Sequence, residues 1–267
     1  MAVSFSTRKS LVGDLKSLGL SEGDGVFVHA SMRAVGTVVG GPRTIIEALF
    51  SVVGDTGLIA MPGFSTDAYF PPAIDRSQCS PAEIVEIEAS VPGFDLRTSP
   101  TTGMGAIAEA FRTWPGTVRS PHPAVSVCLN GANATAFASK HSLAWATGIE
   151  TPFGRLRDRP DMNMLLVGVG WNRCTALHTA ESIAEPRRTK VRRVKTSSRP
   201  SEWTGTPDVA DDLDRLFPRV GRAFEEEGGV TLGKLGQAET RRCNYGSLIS
   251  FAADWIGRAN LESGDRS

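Results

Sequence analysis

The chain has 267 residues, 40% of them hydrophobic, and its 29 basic and 29 acidic side chains cancel to a formal charge of zero. That length buries a substantial core, and the balance gives no general attraction to nucleic acid or to an anionic membrane surface. Four cysteines, at 79, 128, 174 and 243, stand far apart with no C-x-x-C pair, which argues against a zinc module or a disulfide framework and suits a reducing cytoplasm.

Residues 1–30 carry Arg8, Lys9, Asp14 and Lys16 where a signal peptide needs an apolar core, and no apolar run approaches the ~20 residues of a membrane span, so a soluble cytoplasmic protein is expected. Leu11, Leu15 and Leu18 at helical spacing predict a first amphipathic helix, with Ser6 or Thr7 as cap and Gly19 as stop. Val26 to Val28 read as a strand running into the small and polar turn HASMRAVG, residues 29–36. Pro42 then opens a helix whose Ile45, Ile46, Leu49, Phe50 and Val53 share a face, and Leu58 to Met61 form a second buried strand. Strand, loop, helix, strand is the pattern of an α/β layer fold. Prolines at 71, 72, 81, 92 and 100 predict a long loop over 63–100 around one short helix, Pro81 to Ser90. A helix follows from Gly103 to Trp114, then the turn RSPHP at 119–123, a strand from Ala124 to Leu129, and a short helix from Ala132 to Ala138.

Leu165 to Val169 reads as a further buried strand, broken at Gly170 and Trp171 before a helix that Thr175 can cap. Residues 187–199 hold seven cations in thirteen, the pattern of a strand edge protected by Lys and Arg, with no aromatic interleaving to suggest nucleic acid. Val209 to Gly228 predicts a helix kinked at Pro218, and Tyr245 to Arg258 a last one. No linker splits the chain, so residues 1–267 are expected to form a single domain, in one or two lobes.

Chemistry concentrates after the strand Leu165 to Val169. His178 and Glu181 lie three residues apart on one helical face, where imidazole and carboxylate can touch. That spacing serves a general base with its orienter, half of a metal site, or a satisfied surface pair, and by itself leaves all three open. His29, His122 and His141 have no paired spacing that would complete a metal site, and no G-x-S-x-G marks a serine nucleophile. Cys174 could be a nucleophile beside His178 or simple packing. Ser31 and Arg33 in the first turn, and Arg119, Ser120 and His122 in the second, offer donors to an anion without any nucleotide fingerprint. Asp208, Asp211, Asp212 and Asp214 read as helix capping or as an acidic wall for a cationic ligand, to which Asp67 could add.

In chain order, VHASMRAVGTVVGGPRTIIEAL, GDTGLIAMPGFS, GMGAIAEAFRTWPGTVRSPHPAVSV, TPFGRL and MLLVGVGWNRCTALHTAES, with a looser EEEGGVTLGKLGQAETR, resemble the aminoglycoside 3-N-acetyltransferase family, which is distinct in fold from the GNAT superfamily. The match spans roughly residues 10–240 in the family's order and spacing. The resemblance implies an α/β domain, a layered sheet flanked by helices, that transfers acetyl from acetyl-CoA to an amine without a metal. It makes His178 and Glu181 the catalytic pair. It turns His29, Ser31, Met32, Arg33, Ala34, Val35, Gly36, Arg119, Ser120 and His122 toward the coenzyme. Direct transfer in a ternary complex is expected, with a covalent route through Cys174 as the rival. A polyanionic coenzyme and a polycationic acceptor then divide the charges, Arg33 and Arg119 toward CoA, and Asp67, Glu181 and Asp208 toward the amine. The family's S-P-L-G is TPFG here, with Thr151 keeping the hydroxyl. Residues 63–100 and those after Arg187 match weakly, which leaves other amines, or binding without turnover, as alternatives. Monomer and homodimer both remain open.

Overall fold

The computed structural model describes residues 4–198, 201–210 and 215–262. The first half runs α1 (Arg8–Ser17), β1 (Gly25–Ala30), α2 (Met32–Val35), α3 (Pro42–Val53), β2 (Leu58–Pro62), α4 (Pro81–Ser90), α5 (Gly105–Arg112), β3 (Val118–Arg119), β4 (Val127–Gly131) and α6 (Ala134–Ala138). The second half runs α7 (Pro152–Arg157), β5 (Met162–Val167), α8 (Ala176–Ile183), β6 (Thr189–Ser198), β7 (Ser201–Val209), α9 (Phe217–Glu226), β8 (Thr231–Leu235), β9 (Ala238–Asn244) and α10 (Tyr245–Glu262).

Seven strands make one sheet in the order β3-β4-β2-β1-β5-β9-β8. The central three, β2, β1 and β5, are parallel, and the flanking pairs are antiparallel. Strands covered on both faces read as near-continuous apolar runs, and the alternation along β1 shows why. Val26 and Val28 enter the core under α1, α3 and α5, whereas Phe27 enters the opposite core under α7, α8, α9 and α10. His29 follows Phe27 by two residues and stacks on its ring, so it belongs to that second side.

Local chemistry accounts for the helices that the spacing predicts. Gly41 at φ +64° precedes Pro42 in the first turn of α3, and Gly54 at φ +65° closes it. Ile45, Ile46, Leu49, Val52 and Val53 between them are buried, each contributing about 1.5–3 kcal/mol relative to exposure. An aspartate at Ile46 would bury an uncompensated charge against the sheet. Helix α4 starts in a capping box, Ser80 Oγ accepting the Glu83 N–H at 3.3 Å and Glu83 Oε2 accepting the Ser80 N–H at 2.8 Å.

Elsewhere the expectation fails for physical reasons. The helix expected from Val209 begins only at Phe217, because Val209 ends β7, paired with Thr189 of β6. Pro218 accordingly sits in the first turn, where its missing N–H costs nothing, and no kink arises. Asp211, Asp212 and Asp214 lie outside the described residues. The basic tract is a strand, β6, but several of its cations are engaged rather than solvated. Arg193 pairs with Glu88 at 2.9 Å, Arg192 with Asp208 at 2.8 Å, and the buried Lys195 ammonium donates to the Val91 carbonyl at 2.7 Å. The Arg193 and Lys195 contacts fasten the β6–β7 hairpin to the segment 63–100, and the Arg192 pair ties its two strands together. Among the described residues no helix is long and apolar enough to cross a membrane.

Candidate active site

The parallel strands β2, β1 and β5 end on the same side of the sheet, and the crevice beyond such ends is where open α/β sheets bind ligands. A cavity of 510 Å³ lies there, lined by His29 to Arg33 at and after the end of β1, Met61 and Pro62 of β2, Gly103 to Ala108 around the start of α5, and Asn172 to Thr175 with His178 after β5. Beyond β5 the chain turns at Gly168, φ +62°, where a side chain would collide with Ala34. A 3₁₀ turn, Trp171–Arg173, then leads into α8.

On α8, His178 Nδ1 stands 2.7 Å from Glu181 Oε2. A carboxylate can only accept, so Nδ1 carries the proton and Nε2 keeps its lone pair for the cavity side. Glu181 is buried, 5% exposed, and Phe217 packs edge-on to the imidazole at 4.7 Å. Helix α9, which supplies Phe217, is itself fixed. Gly221 lies against the Trp171 indole with no room for a side chain, and Trp171 Nε1 donates to Glu225 Oε1 at 2.8 Å, which also accepts from Arg241 Nε at 2.6 Å.

His29 Nε2 accepts the Thr175 N–H at 3.4 Å and lies 3.1 Å from the Thr175 hydroxyl. Thr175 does occupy the N-cap position of α8, but its hydroxyl serves His29 instead of the helix. Burial, reinforced by the nearby His178, pushes the His29 pKa down to about 3. Ser31 caps α2, accepting the Ala34 N–H at 3.3 Å. Of the turn 29–36, His29, Ser31, Met32 and Arg33 line the cavity with Ala30, whereas Ala34, Val35 and Gly36 do not. Val35 is core, and Gly36 at φ +85° lies against Gln237.

The turn RSPHP faces inward. Arg119, 8% exposed, donates through Nε to Ser126 Oγ at 2.7 Å, through Nη1 to the Ser99 carbonyl at 2.6 Å, and through Nη2 to Ser65 Oγ at 2.7 Å and to the Gly63 carbonyl. Ser120 accepts the Val127 N–H and meets His141 Nδ1, each at 2.8 Å. His122 Nδ1 accepts the Ala124 and Val125 N–H groups at 3.1 and 2.9 Å. Burial depresses both imidazoles, His122 to about 4 and His141 to about 3. None of Arg119, Ser120 and His122 lines the cavity. Neither of the expected acceptor-side aspartates does so either. Asp208 is buried in its pair with Arg192, and Asp67, bonded to the Thr102 hydroxyl at 3.1 Å, faces a separate 1190 Å³ cavity between the segment 63–100 and β6.

Several cavity residues escape the sequence reading. Phe217 is masked by its placement in the middle of an expected helix, and Met104 to Ala108 read only as amphipathic spacing. Arg173 had a usable signal, since it sits in the strand-to-helix turn five residues before His178. Cys174 lies at the cavity wall but is fully buried, and burial pushes its thiol up to about 12.

The sequence profile described as aminoglycoside 3-N-acetyltransferase matches residues 27–257 of this chain. The chain belongs to the aminoglycoside 3-N-acetyltransferase family. Within that family it is 32% identical over 257 residues to the SPbeta prophage-derived aminoglycoside N(3')-acetyltransferase-like protein YokD of Bacillus subtilis (strain 168), covering 94% of this chain and 92% of YokD. Among solved family structures, AAC-IIIb in a binary complex with CoASH superposes with a TM-score of 0.84 at 30% identity, over 96% of this chain and 98% of the other. AAC-VIa bound to sisomicin superposes with a TM-score of 0.83 at 29% identity, over 95% of this chain and 98% of the other.

Proposed function

We propose that this chain is an acetyl-CoA-dependent N-acetyltransferase that acetylates the 3-amino group of an aminoglycoside by direct transfer, with His178 as general base and Glu181 as its orienting partner. The observation that carries the reading is the 2.7 Å His178–Glu181 contact at the edge of a cavity beyond the strand ends. Membership of the family, with one relative solved with CoASH and another with sisomicin, supports the substrate pair.

An ammonium cannot attack a thioester, so the substrate first gives one proton to solvent, and the neutral amine loses a second as its nitrogen bonds to the carbonyl carbon. His178 Nε2 receives it, and the buried Glu181 carboxylate stabilises the imidazolium that forms. When the C–S bond breaks, the proton returns to the departing thiolate. Arg33 and Arg173, both exposed at the cavity, suit the phosphates of the coenzyme. The buried, protonated Cys174 is a poor nucleophile, which favours direct transfer over an acyl-cysteine. Acetyl-CoA is an intracellular metabolite, which fits the cytoplasm as the setting.

One observation favours a second acceptor class within the same chemistry. Among the described residues the charged side chains lining this cavity are Arg33 and Arg173, with no carboxylate to receive a polycation. An amine bearing fewer positive charges suits that lining. Release of CoA thiol, followed over a panel of aminoglycosides and simple amines, tests both readings, since kcat/KM across the panel names the acceptor. His178→Ala is expected to lower kcat by about 10²–10⁴-fold; full activity of that variant at neutral pH would end the proposal.

A further inference from the structure

His29 is the second imidazole of the cavity, and base chemistry at His178 leaves it without a task. Three features define what it can do. The Thr175 backbone N–H can only donate, so Nε2 of His29 is an acceptor and the single proton of the neutral ring sits on Nδ1. Among the described residues Nδ1 meets no hydrogen-bond partner, and it is not sealed inside the protein, while the residue itself lines the cavity. The ring is held in place, stacked 5.4 Å from Phe27 and tethered to the first residue of the turn into α8.

We infer that His29 is a catalytic hydrogen-bond donor whose Nδ1–H binds the thioester carbonyl oxygen and stabilises the oxyanion formed on amine addition. The inference rests on the acetyl-transfer reading above and adds the group that meets the developing negative charge, beyond a mere contact with the coenzyme. As the amine nitrogen bonds to the carbonyl carbon, the π electrons move onto oxygen, and the amine proton goes to His178 Nε2. The oxygen then carries the charge that His29 faces. When the C=O bond re-forms, the C–S bond breaks, the sulfur leaves with its electron pair, and His178 returns the proton, giving amide, CoA thiol and both imidazoles neutral. A donor fixed before reaction costs no reorganisation, which is why such groups carry large effects. The depressed pKa of His29 fits the role, because a neutral imidazole can donate without repelling the imidazolium that forms at His178.

The test follows [1-¹³C]acetyl-CoA bound to the full chain by difference infrared spectroscopy, beside steady-state kinetics, in wild type, His29→Phe and His29→Asn. Phenylalanine keeps the stack on Phe27 without a donor, and the asparagine amide places an N–H close to the Nδ1 position. The carbonyl band is expected at lower frequency in wild type than in free acetyl-CoA. It should lose that shift in His29→Phe and recover part of it in His29→Asn. In parallel, kcat should fall by about 10²–10³-fold in His29→Phe and rise at least about tenfold from there in His29→Asn, with the Kd for CoA within about threefold throughout. A band that ignores residue 29, or a His29→Phe kcat within about threefold of wild type, overturns the assignment. Long-range ¹H–¹⁵N spectra of wild type give a check that needs no variant, where a His29 proton on Nε2 overturns it equally. Transfer with an unchanged band defeats the His29 assignment alone. No transfer to any amine, with a band that still follows residue 29, defeats the acetyltransferase reading and leaves the donor in place.

Discussion

Two turns of this chain have nearly the same chemical inventory and opposite fates. HASMRAVG and RSPHP each follow or precede a strand, and each offers an imidazole, a serine and an arginine. The first opens His29, Ser31 and Arg33 onto the cavity at the strand ends. The second points its arginine, serine and histidine into the protein, where Arg119 ties the segments around Gly63 and Ser99 to the start of β4. Donors alone do not make an anion site. What decides is whether the surrounding backbone has already claimed them.

The largest effect expected from this contrast is on stability. Arg119→Met removes a guanidinium that serves four acceptors, three of them buried, of which only the Gly63 carbonyl keeps a second donor in Ser126, and each buried one left without a donor costs about 1–3 kcal/mol. Urea unfolding should show a loss of at least about 3 kcal/mol. A loss below ~0.5 kcal/mol would place Arg119 with the cavity residues after all and erase the distinction.

Acid should test what the two turns share, a buried imidazole in each. His29, His122 and His141 are held neutral in the fold, with pKa values near 3, 4 and 3, against about 6.5 when unfolded. The unfolded chain therefore binds more protons below pH 6.5, so the stability these residues contribute is complete above that pH and drains away as pH falls toward 4. Each contributes a slope of ~1.4 kcal/mol per pH unit across that window. Urea midpoints measured between pH 7 and pH 5 should fall steeply. A flat profile would contradict the buried, neutral state of these three imidazoles.

The exposed arginine of the first turn should respond in kinetics instead. Arg33→Ala should raise KM for acetyl-CoA about tenfold, the equivalent of one charge-assisted hydrogen bond, and leave the unfolding midpoint unchanged because the side chain is exposed. An unchanged KM would remove Arg33 from the coenzyme side. Smallest of all is Cys174→Ala. Its thiol is buried and protonated, so kcat should stay within about twofold, and loss of all activity in a folded variant would reinstate the covalent route.

Much of the frame was legible because it depends on local rules. Pro42 and Gly54 delimit α3, Ser80 and Glu83 announce α4, and the apolar runs of β1, β2 and β5 need both faces covered. His178 and Glu181 were legible for the same reason, since three residues along a helix bring side chains together whatever surrounds them. The rest depends on distant partners. SEWTGTPDV carries no clean alternation, and it is a strand only because β6 pairs along it. In β9, Arg241 and Arg242 hide the buried Thr240 and Cys243 from any pattern search, and the strand owes its place to β5. The partners of Arg119 lie up to 56 residues away, at Gly63, beyond the reach of composition or spacing.

The close seat of Gly221 on Trp171 has a practical reach. Because no side chain fits between them, α9 cannot be re-registered by random substitution at its contact face without losing Trp171, Glu225 and Arg241 together. A directed-evolution library meant to change which amine enters should leave that helix fixed and diversify Phe64, Met104 and Val169, apolar positions that line the cavity and are only partly buried.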